Sequence, residues 1–290
     1  MPVPLVENAP AKVNLTLRVL RRRDDGYHEL ESLVVFADFG DRLSFSRGGK
    51  LALTVSGPSA AQAGEGDDNL VLKAARALAA HRPGTVLGAF DLDKRLPVAA
   101  GLGGGSADAA AALRLLAQAN GLAGDDPKLY AAARATGADV PVCLDPRPRI
   151  MRGIGEVLSS PLSLPPLPAV LVNPGVALAT KAVFAGWRPA AVQGIAVDID
   201  AVAKLTDADA LLQFLDPQTN DLEAPAIVLR PVVAEVLTAL RGLPGCKLAR
   251  MSGSGATCFG LFTAAEAASK ASEILCNRYP HWWALATVLG

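Results

Sequence analysis

The stretch Pro97-Val98-Ala99-Ala100-Gly101-Leu102-Gly103-Gly104-Gly105-Ser106-Ala107-Asp108 places four glycines in five residues. A strand-like segment, Thr85–Asp93, precedes it, and an alanine-rich helix, Ala107–Ala119, follows it. Each glycine inside a helix costs about 0.8–1 kcal/mol relative to alanine, so the cluster suits a bare loop. Without side chains, its N–H groups can close around an anion, and the helix behind it adds roughly half a positive charge at its N-terminus. A phosphate is the guest that such a loop suits. The same glycines also serve tight turns and close helix packing, which need no ligand. Two common phosphate loops are excluded. No Lys-Ser or Lys-Thr follows, as a P-loop requires, and the spacing is not that of Gly-x-Gly-x-x-Gly.

Outward from the loop, 290 residues exceed the usual size of one compact core, so two domains are expected. The boundary is placed at Pro161-Leu-Ser-Leu-Pro-Pro-Leu-Pro168, a stiff extended stretch, giving domains 1–160 and 161–290. Basic and acidic residues balance at 28 each, without the basic excess or stripe of a nucleic-acid-binding surface. The one basic run, Arg21-Arg22-Arg23, meets Asp24 and Asp25 at once and reads as a solvated loop. Cys143, Cys246, Cys258 and Cys276 show neither a disulfide framework nor metal-like spacing, and read as small buried hydrophobes in a reducing compartment. No signal sequence or bilayer-length apolar run is visible, so the expectation is a cytoplasmic protein without a membrane partner.

Alternation over Ala11–Val19 sends Ala11, Val13, Leu15, Leu17 and Val19 to one face, and Lys12, Asn14, Thr16 and Arg18 to the other. Further strands are expected at Leu30–Phe39, Asp41–Ser46 and Leu51–Ser56. A helix starts near Asp67-Asp68 with Leu70, Val71, Ala74, Ala75 and Leu78 on its buried stripe. Asn120-Gly121 ends the glycine-loop helix, Asp126-Pro127 opens another, and Gly137 closes that one. Beyond the prolines, strands are expected at Ala169–Asn173, Cys246–Arg250, Thr257–Phe262 and Trp282–Val288. Helices are expected at Thr180–Trp187, Asp207–Leu215, Glu223–Leu240 and Ala264–Asn277. That order suggests a split βαβ unit of ferredoxin-like type.

Residue chemistry alone leaves several roles open. Asp139, before Val-Pro, is either a helix cap or a general base. Lys12 is either a solvated strand residue or a charge partner for a reacting group. His28 is either structural or a ligand contact, and Ser252-Gly253-Ser254-Gly255 is either a tight turn or a set of free amides facing a ligand. Asp108 either complements the helix dipole or reaches a metal ion. Ser106 can cap the helix and touch a phosphate.

The glycine loop and six further ordered segments narrow these choices. They are Ala9-Pro10-Ala11-Lys12-Val13-Asn14-Leu15, Asp25-Gly26-Tyr27-His28-Glu29-Leu30, the glycine loop, Gly137-Ala138-Asp139-Val140-Pro141-Val142, Arg152-Gly-Ile-Gly-Glu156 with Asn220-Asp221-Leu-Glu223, and Ser252-Gly-Ser-Gly-Ala256. Together they resemble the GHMP kinases, and among these the branch that acts on a cytidine-diphosphate-linked methylerythritol in isoprenoid precursor synthesis. The resemblance runs from residue 9 to about 260. It implies an α+β, two-domain GHMP kinase fold with an N-terminal ribosomal-protein-S5-like α/β domain and a C-terminal ferredoxin-like domain. It also implies transfer of a phosphate from ATP, with Mg²⁺, to the C2 hydroxyl of the methylerythritol unit.

On that resemblance the catalytic residues are Lys12 and Asp139. The ATP loop comprises Pro97, Val98, Ala99, Ala100, Gly101, Leu102, Gly103, Gly104, Gly105, Ser106 and Ala107. The substrate contacts are Asn14, Tyr27, His28, Asp139, Thr180, Phe184, Ser252 and Gly253, and no resident metal ligand is assigned. The expected partners are small molecules, with neither nucleic acid nor membrane, and the protein is expected as a monomer or weak homodimer. The branch carries a further aromatic soon after the histidine. This chain reads Leu33-Val34-Val35 there, which makes Val34 or Phe36 the replacement. A GHMP kinase for another small alcohol is the alternative, and a ligand-binding sensor without catalysis is a third reading. A Ser/His/Asp hydrolase is excluded, because no strand-to-helix Gly-x-Ser-x-Gly elbow has a suitably spaced histidine.

Overall fold

The computed structural model describes residues 3–189 and 196–290, which form two compact units. One comprises the residues up to Lys12, Phe39–Val98 and Gly103–Pro146; the other comprises Val13–Asp38, Ala99–Leu102 and Arg147–Gly290. The boundary read from the prolines falls inside the second of these.

In the first unit, Arg42–Arg47 pairs antiparallel with strand Gly88–Asp93, which pairs parallel with Ala52–Ser56. The strands expected at Leu30–Phe39 and Asp41–Ser46 are one strand, His28–Arg47. Gly40 permits its close passage: a Cβ there would sit 2.1 Å from the carbonyl oxygen of Ala9, so only glycine fits. Three helices of ten or more residues and the short buried helix Val140–Leu144 complete this unit's core. Leu70–His81 is capped by Asn69, whose Oδ1 accepts the Val71 N–H, which moves the start past Asp67-Asp68. Pro127–Thr136 opens with Asp126 as cap and proline in the first turn, as read. Gly104–Asn120 buries Ala109, Ala110, Ala111 and Ala112, and side chains this small let its neighbours approach closely. It ends where Gly121 takes a left-handed conformation, φ 66°.

The second unit contains an antiparallel sheet in the order Trp283–Leu289, Leu167–Asn173, Cys258–Leu261, Leu248–Met251. Numbered along the chain, that order is 4-1-3-2, the antiparallel arrangement of a split βαβ fold. Helices Val232–Arg241 and Ala265–Arg278 bury Val233, Val236, Leu237, Leu240, Ala268, Ala271 and Leu275 in one cluster with Val170, Val172, Cys258 and Phe262. The single helix expected over Glu223–Leu240 is two, Glu223–Leu229 and Val232–Arg241, because Pro231 cannot continue the first and starts the second. A second pairing joins Leu30–Val34 to Arg149–Gly153, which pairs onward with Val157–Leu158; sequence pattern had not indicated either short strand.

The expected strand Ala11–Val19 is also divided, into Leu5–Asn14 and Arg18–Arg22. Its polar face is not solvated: Lys12, Asn14, Thr16 and Arg18 are all buried. Arg18 is accommodated by an ion pair with buried Glu31 at 3.0 Å. Cys143 and Cys258 are buried as expected, whereas Cys276 is exposed. Among the described residues, no helix is long and apolar enough to cross a membrane.

Candidate active site

In the first unit, Lys12 sits two residues before the end of strand Leu5–Asn14, and Asp139 precedes the five-residue helix Val140–Leu144. Lys12 Nζ donates to Asp139 Oδ2 at 2.9 Å. The ammonium end belongs to a buried side chain, 4% exposed, while the carboxylate is 36% exposed. Asp139 makes no capping bond to the helix it opens, which removes the purely structural role that its position suggested. Its second oxygen, Oδ1, has no hydrogen-bond partner among the described residues. The pair can therefore hold a carboxylate in place and leave one oxygen for an incoming hydroxyl.

Gly103 caps the helix Gly104–Asn120 with φ 63°, and a Cβ on it would lie 3.2 Å from the Cβ of Lys12. The helix starts three residues earlier than the expected Ala107, with Gly104, Gly105 and Ser106 in its first turn. Its first internal bond runs from Ala107 N–H to Gly103 O, 2.8 Å. The amides of Gly104, Gly105 and Ser106 are thus left without an intrahelical acceptor, the donor set an anion needs. Ser106 makes no capping bond. Pro97 and Val98 are half-buried, Ala107 is buried, and all three belong to this unit.

Sequence reading missed a second lysine next to this helix. Lys94 donates to Asp108 Oδ2 at 2.7 Å and to Asp41 Oδ2, and the three side chains are almost wholly buried. A Cβ on Gly104 would lie 3.1 Å from Lys94 Nζ, so the cluster abuts the first turn of the helix. Asp41 Oδ1 also accepts the N–H groups of Arg95 and Leu96 at 2.6 and 2.8 Å. Asp108 lies beyond the first turn of the helix; its Oδ2 is held by an ammonium, while its buried Oδ1 has no partner among the described residues. Burial, with the Asp41 carboxylate adding to it, pushes the Asp108 carboxyl up to about 7 against the pull of Lys94. Burial opposes the Lys94 charge, but the two carboxylates outweigh it and raise the ammonium above its ordinary value. Burial also pushes the Cys143 thiol up to about 12, with the Asp139 carboxylate contributing, so this neighbour stays an uncharged thiol.

In the second unit, Ser252 organises the remaining small-residue loop. Its Oγ accepts the Asn14 N–H at 3.1 Å and donates to Gly101 O at 2.9 Å. A Cβ on Gly101, φ 78°, would meet Ser252 O at 2.5 Å. Ala100 O accepts the Thr257 N–H, Leu102 is buried, and Ala99 is exposed with a positive φ of 52°, rare for a residue with a Cβ. Asn220 Nδ2 donates to Met251 O and Gly253 O, both at 2.8 Å, and so fixes the Ser252-Gly253 turn. Asn14 Nδ2 donates to Ser32 Oγ at 2.7 Å, and its buried Oδ1 has no partner among the described residues.

The predicted cytidine contacts separate into a group that meets and one that does not. His28 lies 4.9 Å from Phe184, ring centroid to centroid, and 5.8 Å edge-on from Trp187. Burial, with the nearby Arg22 charge, lowers the His28 pKa. Tyr27 is 59% exposed and makes no ring contact with this cluster. Thr180 Oγ1 shares a 2.9 Å hydrogen bond with Ser254 Oγ, also in this unit. Val34 and Phe36 are both buried, and Trp187 is the aromatic that joins His28. Its position in the chain, three residues after Phe184 and so on the same side at the end of its helix, was the available signal.

The GHMP kinases N terminal domain matches residues 69–145, and the GHMP kinases C terminal domain matches residues 198–281. A protein of Rhodopseudomonas palustris named 4-diphosphocytidyl-2-C-methyl-D-erythritol kinase is 56% identical over 99% of this chain and 97% of its own length. One of the same name from Methylobacterium radiotolerans is 57% identical over 98% of this chain and 99% of its own. A crystal structure of 4-(cytidine 5'-diphospho)-2C-methyl-D-erythritol kinase superposes with a TM-score of 0.77 at 37% identity, covering 99% of both chains. The homoserine kinase of Cytophaga hutchinsonii, at 19% identity and a TM-score of 0.72 over 100% of this chain and 95% of its own, shares the fold.

Proposed function

The chain belongs to the GHMP kinase family, and on that premise we propose that it transfers the γ-phosphate of ATP to the C2 hydroxyl of 4-diphosphocytidyl-2-C-methyl-D-erythritol, giving the 2-phosphate and ADP. It is a small-molecule kinase of the non-mevalonate route to isopentenyl diphosphate. The near-complete coverage at 55–57% identity favours this substrate over the other small alcohols of the family.

The observation that carries the residue assignment is the 2.9 Å bond between Lys12 and Asp139. Phosphoryl transfer needs positioning and charge stabilisation more than covalent help from the protein. The acceptor oxygen attacks the γ-phosphorus, its O–P bond forms as the bond to the β–γ bridging oxygen breaks, and ADP leaves with that oxygen. Asp139 takes the hydroxyl proton through Oδ1, since Oδ2 is engaged by Lys12. Such general-base assistance contributes about 10²–10⁴-fold. The Lys12 ammonium offsets the charge that builds on the acceptor and γ-phosphate oxygens. The amides of Gly104, Gly105 and Ser106, with the dipole of their helix, receive the phosphates.

Mg²⁺ belongs to this reading as a partner of the nucleotide. The described residues contain no group of three or more His, Cys, Asp or Glu side chains able to hold a resident ion, and Asp108 is committed to Lys94. No resident ligand is assigned, and a metal arriving on the triphosphate would supply neutralisation of its charge. His28, Phe184 and Trp187 are assigned to the cytosine. An aromatic face contributes about 1–3 kcal/mol per stacked base. A neutral imidazole can both donate to and accept from the base edge.

The test combines purified protein, Mg-ATP and the cytidine-linked alcohol, with homoserine, mevalonate and galactose as parallel acceptors. Phosphorus NMR should show a new phosphomonoester at C2 with the first acceptor alone. Equal turnover of another alcohol, or none of the first by folded protein, would refute the assignment.

A further inference from the structure

Lys12 and Asp139 project from different elements, and one side chain is bonded to both. Arg114 lies on the glycine-loop helix, ten residues beyond Gly104 and therefore about 15 Å along its axis. Its Nε donates to Glu7 Oε2 at 2.9 Å and its Nη2 to Asn8 O at 2.7 Å; both partners lie on the strand that carries Lys12, five and four residues earlier. Its Nη1 donates to Cys143 O at 2.8 Å, near the C-terminal end of the short helix that Asp139 opens. The side chain is 19% exposed, and its bonds to Glu7 and Cys143 are partly buried while the bond to Asn8 O lies at the surface.

The bonding pattern asks more of Arg114 than a surface ion pair does. A helix of five residues has little stability of its own, and its last carbonyls lack intrahelical donors. A guanidinium on Cys143 O satisfies one of them. Because the guanidinium is planar and its donors point in fixed directions, it cannot serve Cys143 O and Asn8 O at once unless strand and helix keep one spacing. That spacing sets how far the Asp139 carboxylate stands from the Lys12 ammonium. A lysine at this position would present a point charge and could not hold both carbonyls in one plane.

We infer that Arg114 is a positioning residue for phosphoryl transfer, a clamp that sets the separation of Lys12 and Asp139 without touching either. This rests on the reading of that pair as the reacting groups. Arg114 touches no residue assigned to nucleotide or cytidine, so its loss acts on the chemical step and leaves binding alone. A misplacement of about 1 Å in a reacting group can cost up to about 100-fold.

The experiment measures kcat and both KM values for Arg114→Met, Arg114→Lys and Glu7→Gln in the full-length protein, with Asp139→Asn alongside and folding followed by circular dichroism. The expected result is a kcat reduced about 10–100-fold in Arg114→Met, with KM for ATP and for the acceptor within about twofold of the parent. Arg114→Lys falls between, and supplies the reading if the methionine variant does not fold. Glu7→Gln, which keeps both carbonyl bonds, retains kcat within about twofold. The inference is overturned if folded Arg114 variants keep the parental kcat, if the loss appears in KM, or if Glu7→Gln loses as much as Arg114→Met. If Asp139→Asn itself keeps full activity, the reading of the pair fails instead.

Discussion

The first unit contains two lysine–aspartate constellations, and they differ in ways that residue type alone does not reveal. Lys12 meets one carboxylate, which is 36% exposed and keeps an oxygen without a partner. Lys94 meets two, both sealed from water, and one of them also accepts two backbone N–H groups. The first arrangement has spare hydrogen-bonding capacity facing outward, as a group that must receive a proton requires. The second has its ammonium engaged by two carboxylates, leaves only the buried Asp108 Oδ1 without a partner, and holds the start of the glycine-loop helix against the end of strand Gly88–Asp93. Exposure, then, is what separates the pair proposed to react from a structural lock.

Replacing each lysine should break this comparison in opposite directions. Lys12→Ala should lower kcat by about 10³-fold while unfolding in urea stays close to that of the parent, because Asp139 can turn to solvent once unpaired. Coupled measurement of ADP release and urea titration read the two effects separately. A variant with ordinary kcat would remove Lys12 from the chemistry. Lys94→Met should do the reverse, leaving two buried carboxylates without a cation at a cost of about 3–5 kcal/mol in unfolding free energy. Unchanged stability there would contradict the lock.

A subtler difference lies in pH. The Asp108 carboxyl is raised to about 7 in the folded protein, so the native state binds that proton more tightly than the unfolded chain does. Its contribution is present in full below the unfolded value of about 3.9 and is lost as pH rises through about 7. Between pH 5 and 8 the parent should therefore lose stability relative to Asp108→Asn, by on the order of 2 kcal/mol. Parallel urea curves at each pH check this. A constant difference across the range would mean that Asp108 titrates elsewhere.

The contrast also marks what could be read from the chain. The glycine loop and the caps at Asp126 and Gly121 follow from local rules of spacing and turn chemistry, so they were legible; for the second unit the element order suggested a split βαβ type, while the strand order 4-1-3-2 emerges only from long-range pairing. Lys12 and Asp139 were found because each sits in its own recognisable segment. Lys94, Asp41 and Asp108 were not, because they lie on three separate elements and no periodicity links them before the chain folds. Burial of the Lys12–Arg18 polar face was missed for the same reason: alternation says which side chains share a face, but not that Glu31 and Asp139 await them. Trp187 escaped notice because its meeting with His28 is likewise a long-range contact.

The most direct test of the account is a single turnover of labelled ATP on Asp139→Asn, with nucleotide binding measured by calorimetry on the same sample. The account predicts ATP bound as in the parent protein and phosphate transfer to the acceptor slowed by about 10²–10⁴-fold. Transfer at the parental rate by that variant would contradict it.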